Sequence, residues 1–411
     1  MRIFQINSHY NQSGAGKIVA CIHRELKRHG YGSMVAYGRG KVTNEDGIYR
    51  IGSKFELAFE GFNTRFIGIN GFTSWNATKK LVMEIDKFCP DVIHLHGLHG
   101  YYLNYKILFD YINRKNIPCV WTFHDCHAFS GNCGYHYECD KWKTSCYECQ
   151  HLREYPTSYW LDHTNWMWEQ KKNLFTQTDN KIIVSPSEWM TDDAKQSFFG
   201  KYNCITVNNG VDTENVFYKR DKNECRKKYG FSVNDKIILG IAFGFDDPRK
   251  GVKYIIQMAH DFKDQNIKFI LIGWNKKNNY LIDKLSNILT IPFTNNQDEL
   301  AEYYSLADAF LLPSLAENYA TVAIESMACG TPVVGFDVGG VAEQLTGRKG
   351  ITVPAADQLK FNAAVLSILD GTAQLCNDTE IEDYTKGNNS ILGMVEKYLE
   401  IYYKASHIGG N

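Results

Sequence analysis

Short apolar runs alternate with amphipathic stretches along most of the chain. In the first half the runs read "RIFQIN", "GSMVAYG", "DVIHLH", "PCVWTFH" and "KIIVSPS". In the second half they read "KIILGIAFG", "IKFILIG", "ILTIPF", "DAFLLPS" and "TPVVGFD". Runs this short, bounded by turn residues, predict strands buried on both faces. The segments between them predict helices, as in "KIVACIHRELKRHG", where Gly30 serves as the stop. Such alternation specifies a parallel α/β fold. Two sets of strands predict two doubly wound, Rossmann-like domains, each binding ligands at the carboxyl ends of its strands. The seam lies near "ITVNNGVDTENVF", where Asn208, Asn209 and Gly210 are turn chemistry. The expected domains are therefore 1–206 and 207–385, with 386–411 holding a last helix, "SILGMVEKYLEIYYKAS", and a frayed tail, "HIGGN".

Composition narrows the function classes. A chain of 411 residues accommodates two domains, and 44% hydrophobic with 22% charged residues is the make-up of a soluble globular protein. A formal charge of −1 argues against a nucleic-acid partner, which a basic excess would mark. The opening "MRIFQINSHYNQSGAGK" lacks the long apolar core of a signal peptide, and no apolar run reaches the length of a membrane span. These features predict a cytoplasmic protein whose twelve cysteines stay reduced.

Candidate chemistry concentrates in a few stretches. "ENYATVAIE" places Glu317 and Glu325 eight residues apart and contains no Lys or Arg to pair with either. A helix from Thr321 to Gly330 would point its N-terminus toward an anion such as phosphate. Glu325 then stands one turn in, suited to a sugar or ribose diol, though two solvated glutamates fit the pattern equally well. In "FGFDDPRKGVKYII", Arg249 and Lys250 sit between strand and helix, where Lys250 suits a diphosphate or simply a solvated loop. "NQSGAGK" fails as a P-loop, because Asn11 and Ile18 occupy positions that need Gly and Ser or Thr. Gly14 and Gly16 still open a helix and allow close backbone approach. His124, in "VWTFHDCHAF", ends a strand; His94 and His96, in "DVIHLHG", read as hydrogen-bonded scaffold. In the loop 126–149, Cys133, Cys139, Cys146 and Cys149 make a candidate structural zinc set, with buried free thiols as the plain alternative.

Together these stretches resemble the retaining nucleotide-sugar glycosyltransferases of the GT-B fold, family 4. The resemblance runs through "NNGVD", "PRKG", "IGWN" and "ENYATVAIESMACGTPVVGFDVGG" in order. "DVIHLHGLHGYYLN", "WTFHDCHAFSGNC" and the cysteine loop are similar to a bacterial branch associated with colanic-acid-type and capsular polysaccharide assembly. The resemblance implies two Rossmann-like domains facing a cleft, with the C-terminal helix crossing back to the first. It implies a UDP- or GDP-linked sugar donor, a glycan or lipid-linked glycan acceptor, and no catalytic metal. Contact with the inner face of a membrane follows from such an acceptor.

By the same resemblance, Glu317 contacts the donor sugar, Glu325 the ribose, and Ala320 to Val322 the diphosphate. His124 assists the transition state, and Gly14 and Gly16 face the diphosphate and acceptor. Lys250 matches the family's Lys, whereas the family's Arg position, six residues earlier, is Gly244; Arg249 is the available substitute. That departure keeps open a catalytically idle binding module, beside a nucleotide-sugar epimerase or hydrolase. Two glutamates on one loop and helix are poorly placed to flank a glycosidic bond, which disfavours a glycoside hydrolase.

Overall fold

The computed structural model describes residues 1–241, 247–273, 282 and 285–408. Gly244, the expected site of the lost Arg, lies outside the described residues, as do Trp274 and Asn275 of "IGWN". The chain divides into two compact units: Met1–Asn208 with the chain from Met394 onward, and Asn209–Gly393.

In the first unit, seven strands form a parallel sheet: β1 (Arg2–His9), β2 (Gly32–Arg39), β3 (Ile48–Arg50), β4 (Val92–Leu95), β5 (Cys119–Thr122), β6 (Lys181–Ser185) and β7 (Asn203–Thr206). Their spatial order is β3-β2-β1-β4-β5-β6-β7. The chain therefore reverses its direction of travel between β1 and β4, which pair with Ile3 opposite Val92. That reversal opens the crevice where doubly wound sheets bind ligands. An aromatic core of Phe109, Trp121, Phe175 and Phe199 packs beneath the central strands. The helix Ile391–Ile408 also belongs to this unit from Met394 onward: Tyr402 Oη lies 2.7 Å from His94 Nδ1, and Tyr398 Oη 2.9 Å from Thr122 Oγ1. The expected frayed tail is a correction in part, because His407 and Ile408 continue this helix.

The second unit carries six parallel strands: β8 (Lys236–Ile241), β9 (Ile267–Ile272), β10 (Ile288–Ile291), β11 (Ala309–Leu312), β12 (Val333–Phe336) and β13 (Gly350–Val353). Their order, β10-β9-β8-β11-β12-β13, repeats the pattern, with the reversal between β8 and β11. Helix ends follow the chemistry read from the sequence. Gly30 and Gly330, just past the helices Ser13–Arg28 and Thr321–Ala328, adopt φ of 79° and 78°, the left-handed conformation that glycine takes without strain.

Three strands escaped the apolar pattern: β3, β7 and β13. Each lies at a sheet edge, where one flank is unpaired and most side chains are only half-buried. The aromatic stretch 55–75 contributes a helix, Lys54–Ile67, closed by a capping box in which Ser53 and Glu56 satisfy each other's backbone N–H groups.

Candidate active site

Each unit gathers polar side chains at the reversal of its strand order. In the C-terminal unit two loops meet, one after β8 and one after β11. Asp247 accepts from Arg249 N and caps the turn Pro248–Lys250. Gly251 follows with φ 64°, and a Cβ there would stand 1.8 Å from the Pro313 carbonyl oxygen. Only glycine permits that approach. Leu315 N donates to Arg249 O at 2.7 Å, locking the loops together.

This contact sets the principal ion pair. Lys250 Nζ lies 2.8 Å from Glu317 Oε2, with Arg249 Nη1 at 3.8 Å from the same oxygen. Arg249 also donates to Ala316 O and Asp247 Oδ2, which fixes its fork. Burial pushes the Glu317 carboxyl up, but Lys250 and Arg249 outweigh it and hold its pKa below the usual glutamate value. The expectation that "ENYATVAIE" contains no partner for its glutamates is true only locally, because the partner of Glu317 stands 67 residues earlier.

The helix Thr321–Ala328 begins beside this pair and has no capping side chain. Instead Gln344 clasps the peptide groups of Ala320, its Oε1 accepting from Ala320 N and its Nε2 donating to Ala320 O. Ala320 thus spends its N–H on Gln344, while Thr321 and Val322 form the first turn of the helix. Glu325, one turn in, is 3% exposed and accepts from Tyr304 Oη at 3.0 Å.

In the N-terminal unit the helix Ser13–Arg28 starts directly after β1, also without a side-chain cap, and Gly14 and Gly16 occupy its first turns. Gly16 is buried, and a Cβ on it would crowd the His9 carbonyl at 3.2 Å. His124, at the end of β5, stacks on His96 with Nε2 3.1 Å from His96 Nδ1; His96 Nε2 lies 3.2 Å from Gln5 Oε1. His96 therefore positions His124, while His94 is scaffold, bonded to Tyr402 and Thr122. Burial lowers the His124 pKa to about 4, so the ring is neutral at pH 7.

The sequence reading missed His99 and Asp125, paired at 2.7 Å beside His124. It also missed Lys171, whose buried ammonium donates to the carbonyls of His127 and Ser130. The pattern "FHDCH" holds Asp125 and His127 in plain view, but nothing local joins them to His99 or Lys171.

The predicted metal set is not brought to ligand range. Among the described residues, the group of His, Cys, Asp or Glu ligand atoms within 4.8 Å of one another is Cys126, His136 and Asp193. Cys133, Cys139, Cys146 and Cys149 do not meet that distance as a set. Local bonds hold their loop otherwise: Cys146 Sγ accepts from Gly131 N, and Cys149 N donates to Asp162.

Two parallel, doubly wound units with their polar clusters at the strand-order reversals define a GT-B glycosyltransferase architecture. Comparison with known proteins gives the family. Residues 12–215 match Glycosyltransferase Family 4, and residues 221–384 match Glycosyl transferases group 1. The chain belongs to this glycosyltransferase family. It is 24% identical to the putative colanic acid biosynthesis glycosyl transferase WcaC of Escherichia coli K12, over 98% of this chain and 99% of that one. Its fold is similar to that of sucrose-phosphate synthase from Thermosynechococcus elongatus, with TM-score 0.71 and 16% identity over 98% of both chains. It is also similar to HepE of Anabaena in complex with UDP, with TM-score 0.67 and 13% identity over 98% of this chain and 100% of that one.

Proposed function

We propose that this glycosyltransferase moves a hexosyl group from a nucleoside-diphosphate sugar to a hydroxyl of a glycan or lipid-linked glycan, with retention at the anomeric carbon. The reading places it in bacterial surface polysaccharide assembly, the role carried in the name of its E. coli relative. The observation that carries the proposal is the Lys250–Glu317 pair beside the uncapped start of the helix Thr321–Ala328. A cation and a helix N-terminus side by side favour a diphosphate, and a carboxylate next to them favours sugar hydroxyls. An arriving diphosphate competes with Glu317 for Lys250 and leaves Glu317 to the sugar. Glu325, held by Tyr304, is the ribose ligand in this reading.

In the transfer, the bond between the anomeric carbon and the diphosphate oxygen breaks, and its electron pair leaves with the diphosphate. The acceptor oxygen attacks on the same face, and its proton passes to the departing phosphate oxygen. Lys250, Arg249 and the helix end meet the charge that develops on the leaving group, so the step needs no metal. Within the N-terminal unit taken by itself, His124 offers a neutral imidazole, and Gly14 and Gly16 offer close backbone approach to a ligand. Binding at the inner face of a membrane is supported by the helix Lys54–Ile67, which exposes Phe55, Phe59 and Phe62 along one side.

The test is thermal unfolding with UDP, GDP, ADP and their sugar conjugates, followed by product analysis with the responding donor. A ligand at a hundred times its dissociation constant adds about 2.7 kcal/mol, enough to raise the midpoint by several degrees. The anomeric configuration of the glycoside formed, with and without chelator, then decides retention and metal dependence. No response to any nucleotide would overturn the donor reading.

A further inference from the structure

Next to the His124 cluster, the N-terminal unit brings three ligand-type side chains together from separate segments. Cys126 opens a short turn after β5, His136 lies in the irregular loop that follows, and Asp193 stands on the helix Glu188–Gln196. All three are buried, and their sulfur, nitrogen and oxygen atoms lie within 4.8 Å of one another.

The hydrogen bonds of His136 fix how its ring meets the group. Its Nδ1 lies 2.8 Å from the Tyr137 carbonyl oxygen. That oxygen can only accept, so Nδ1 bears a proton. His136 Nε2 then faces Asp193 Oδ2 at 2.7 Å. In the metal-free chain one proton, on the ring or on the carboxyl, fills that contact, and a metal ion can replace it. A metal ion uses all three side chains. The Nδ1–H to carbonyl bond is also the usual support of a metal-bound histidine, fixing the tautomer that offers Nε2.

We infer that Cys126, His136 and Asp193 supply three ligands to a divalent transition ion, zinc by their donor set, with the fourth position left to water or another donor. One thiolate, one carboxylate and a neutral imidazole cancel the charge of a divalent ion, which suits a buried position. On binding, the Cys126 thiol proton and the proton between His136 Nε2 and Asp193 Oδ2 pass to solvent, and the freed sulfur, nitrogen and oxygen bond to the metal. The site has a physical purpose. Between β5 and the helix Thr164–Phe175 the chain forms only two three-residue turns among the described elements, and a metal would tie this long loop to the helix that carries Asp193.

The experiment is metal analysis of the full chain purified from zinc-supplemented medium, alongside Cys126→Ser, Asp193→Asn, Cys139→Ser and Cys149→Ser. Zinc should copurify at about one ion per chain and be retained by the Cys139 and Cys149 variants. Asp193→Asn, the variant least disturbing to packing, should weaken metal binding at least the roughly tenfold seen for lost supporting partners. Cobalt-loaded wild type should show a thiolate-to-cobalt charge-transfer band that Cys126→Ser removes. Absence of zinc together with absence of the cobalt band would overturn the inference. So would retention of metal by Asp193→Asn and Cys126→Ser, or its loss from Cys139→Ser or Cys149→Ser, which would place it on the cysteine-only set. Should Cys126→Ser fail to fold, Asp193→Asn and the wild-type cobalt spectrum still decide.

Discussion

Lys250 Nζ and Glu317 Oε2 stand 2.8 Å apart although 67 residues separate them in the chain. The pair is half-sheltered, with Glu317 12% and Lys250 27% exposed at the side chain. Replacing Lys250 by Ala removes the cation proposed for the diphosphate. Loss of one such preorganised charge typically costs about 10²- to 10³-fold in turnover. Lys250→Ala should lower kcat/KM by that order and weaken nucleoside-diphosphate binding measured by calorimetry. Unchanged affinity would remove Lys250 from the donor site.

Gly251 is the hinge of that arrangement. Its φ of 64° and the 1.8 Å that would separate a Cβ from Pro313 O leave no room for a side chain. Gly251→Ala must push the two loops apart, so a loss of at least about 2 kcal/mol is expected in urea unfolding. Donor affinity should fall with it, because Lys250 moves away from Glu317. A neutral substitution would show that the loops yield freely.

Two groups, one acidic and one basic, both make stability fall as pH falls. Glu317 has its folded pKa lowered, so its pairing adds stability above the ordinary glutamate pKa of about 4.3 and loses it as pH falls through the lower folded value. His124 is lowered from 6.5 to about 4, chiefly by burial. The unfolded chain therefore binds a proton there that the folded chain refuses, and stability drops as pH falls from 6.5 toward 4. Urea titrations should show His124→Gln with a shallower decline than wild type across that window. Glu317→Gln should differ from wild type most at neutral pH and least in acid. A histidine resonance of His124 titrating near 6.5 would contradict the account.

The exposed aromatic side of the helix Lys54–Ile67 makes a separate claim. Phe55, Phe59 and Phe62 are 88%, 65% and 55% exposed, and Phe66 meets Trp160 at 5.3 Å between ring centroids. Changing the three exposed phenylalanines to Ser should leave the melting point within the small range of surface substitutions. It should reduce cosedimentation with anionic lipid vesicles severalfold. Equal cosedimentation of the variant would detach the membrane reading from this helix.

What the sequence determined by itself was whatever burial writes into local order. Strands such as β11 and β12 are buried on both faces, so they stand out as unbroken apolar runs, and the glycine stops at Gly30 and Gly330 mark helix ends by backbone sterics alone. The spacing of Glu317 and Glu325 was likewise visible, since a loop and one helical turn connect them. Edge strands β3, β7 and β13 were not, because an unpaired flank relaxes the demand for apolar residues. Only the tertiary structure decided which charges meet. Lys250 reaches Glu317 because β8 and β11 are neighbours in the sheet and Gly251 lets their loops touch. Asp193 comes near Cys126 and His136 from a helix on which it reads as an ordinary polar residue, a grouping that the local spacing of Cys146 and Cys149 does not reveal. Periodicity records how deeply each residue is buried; strand order, a long-range property, sets its partners.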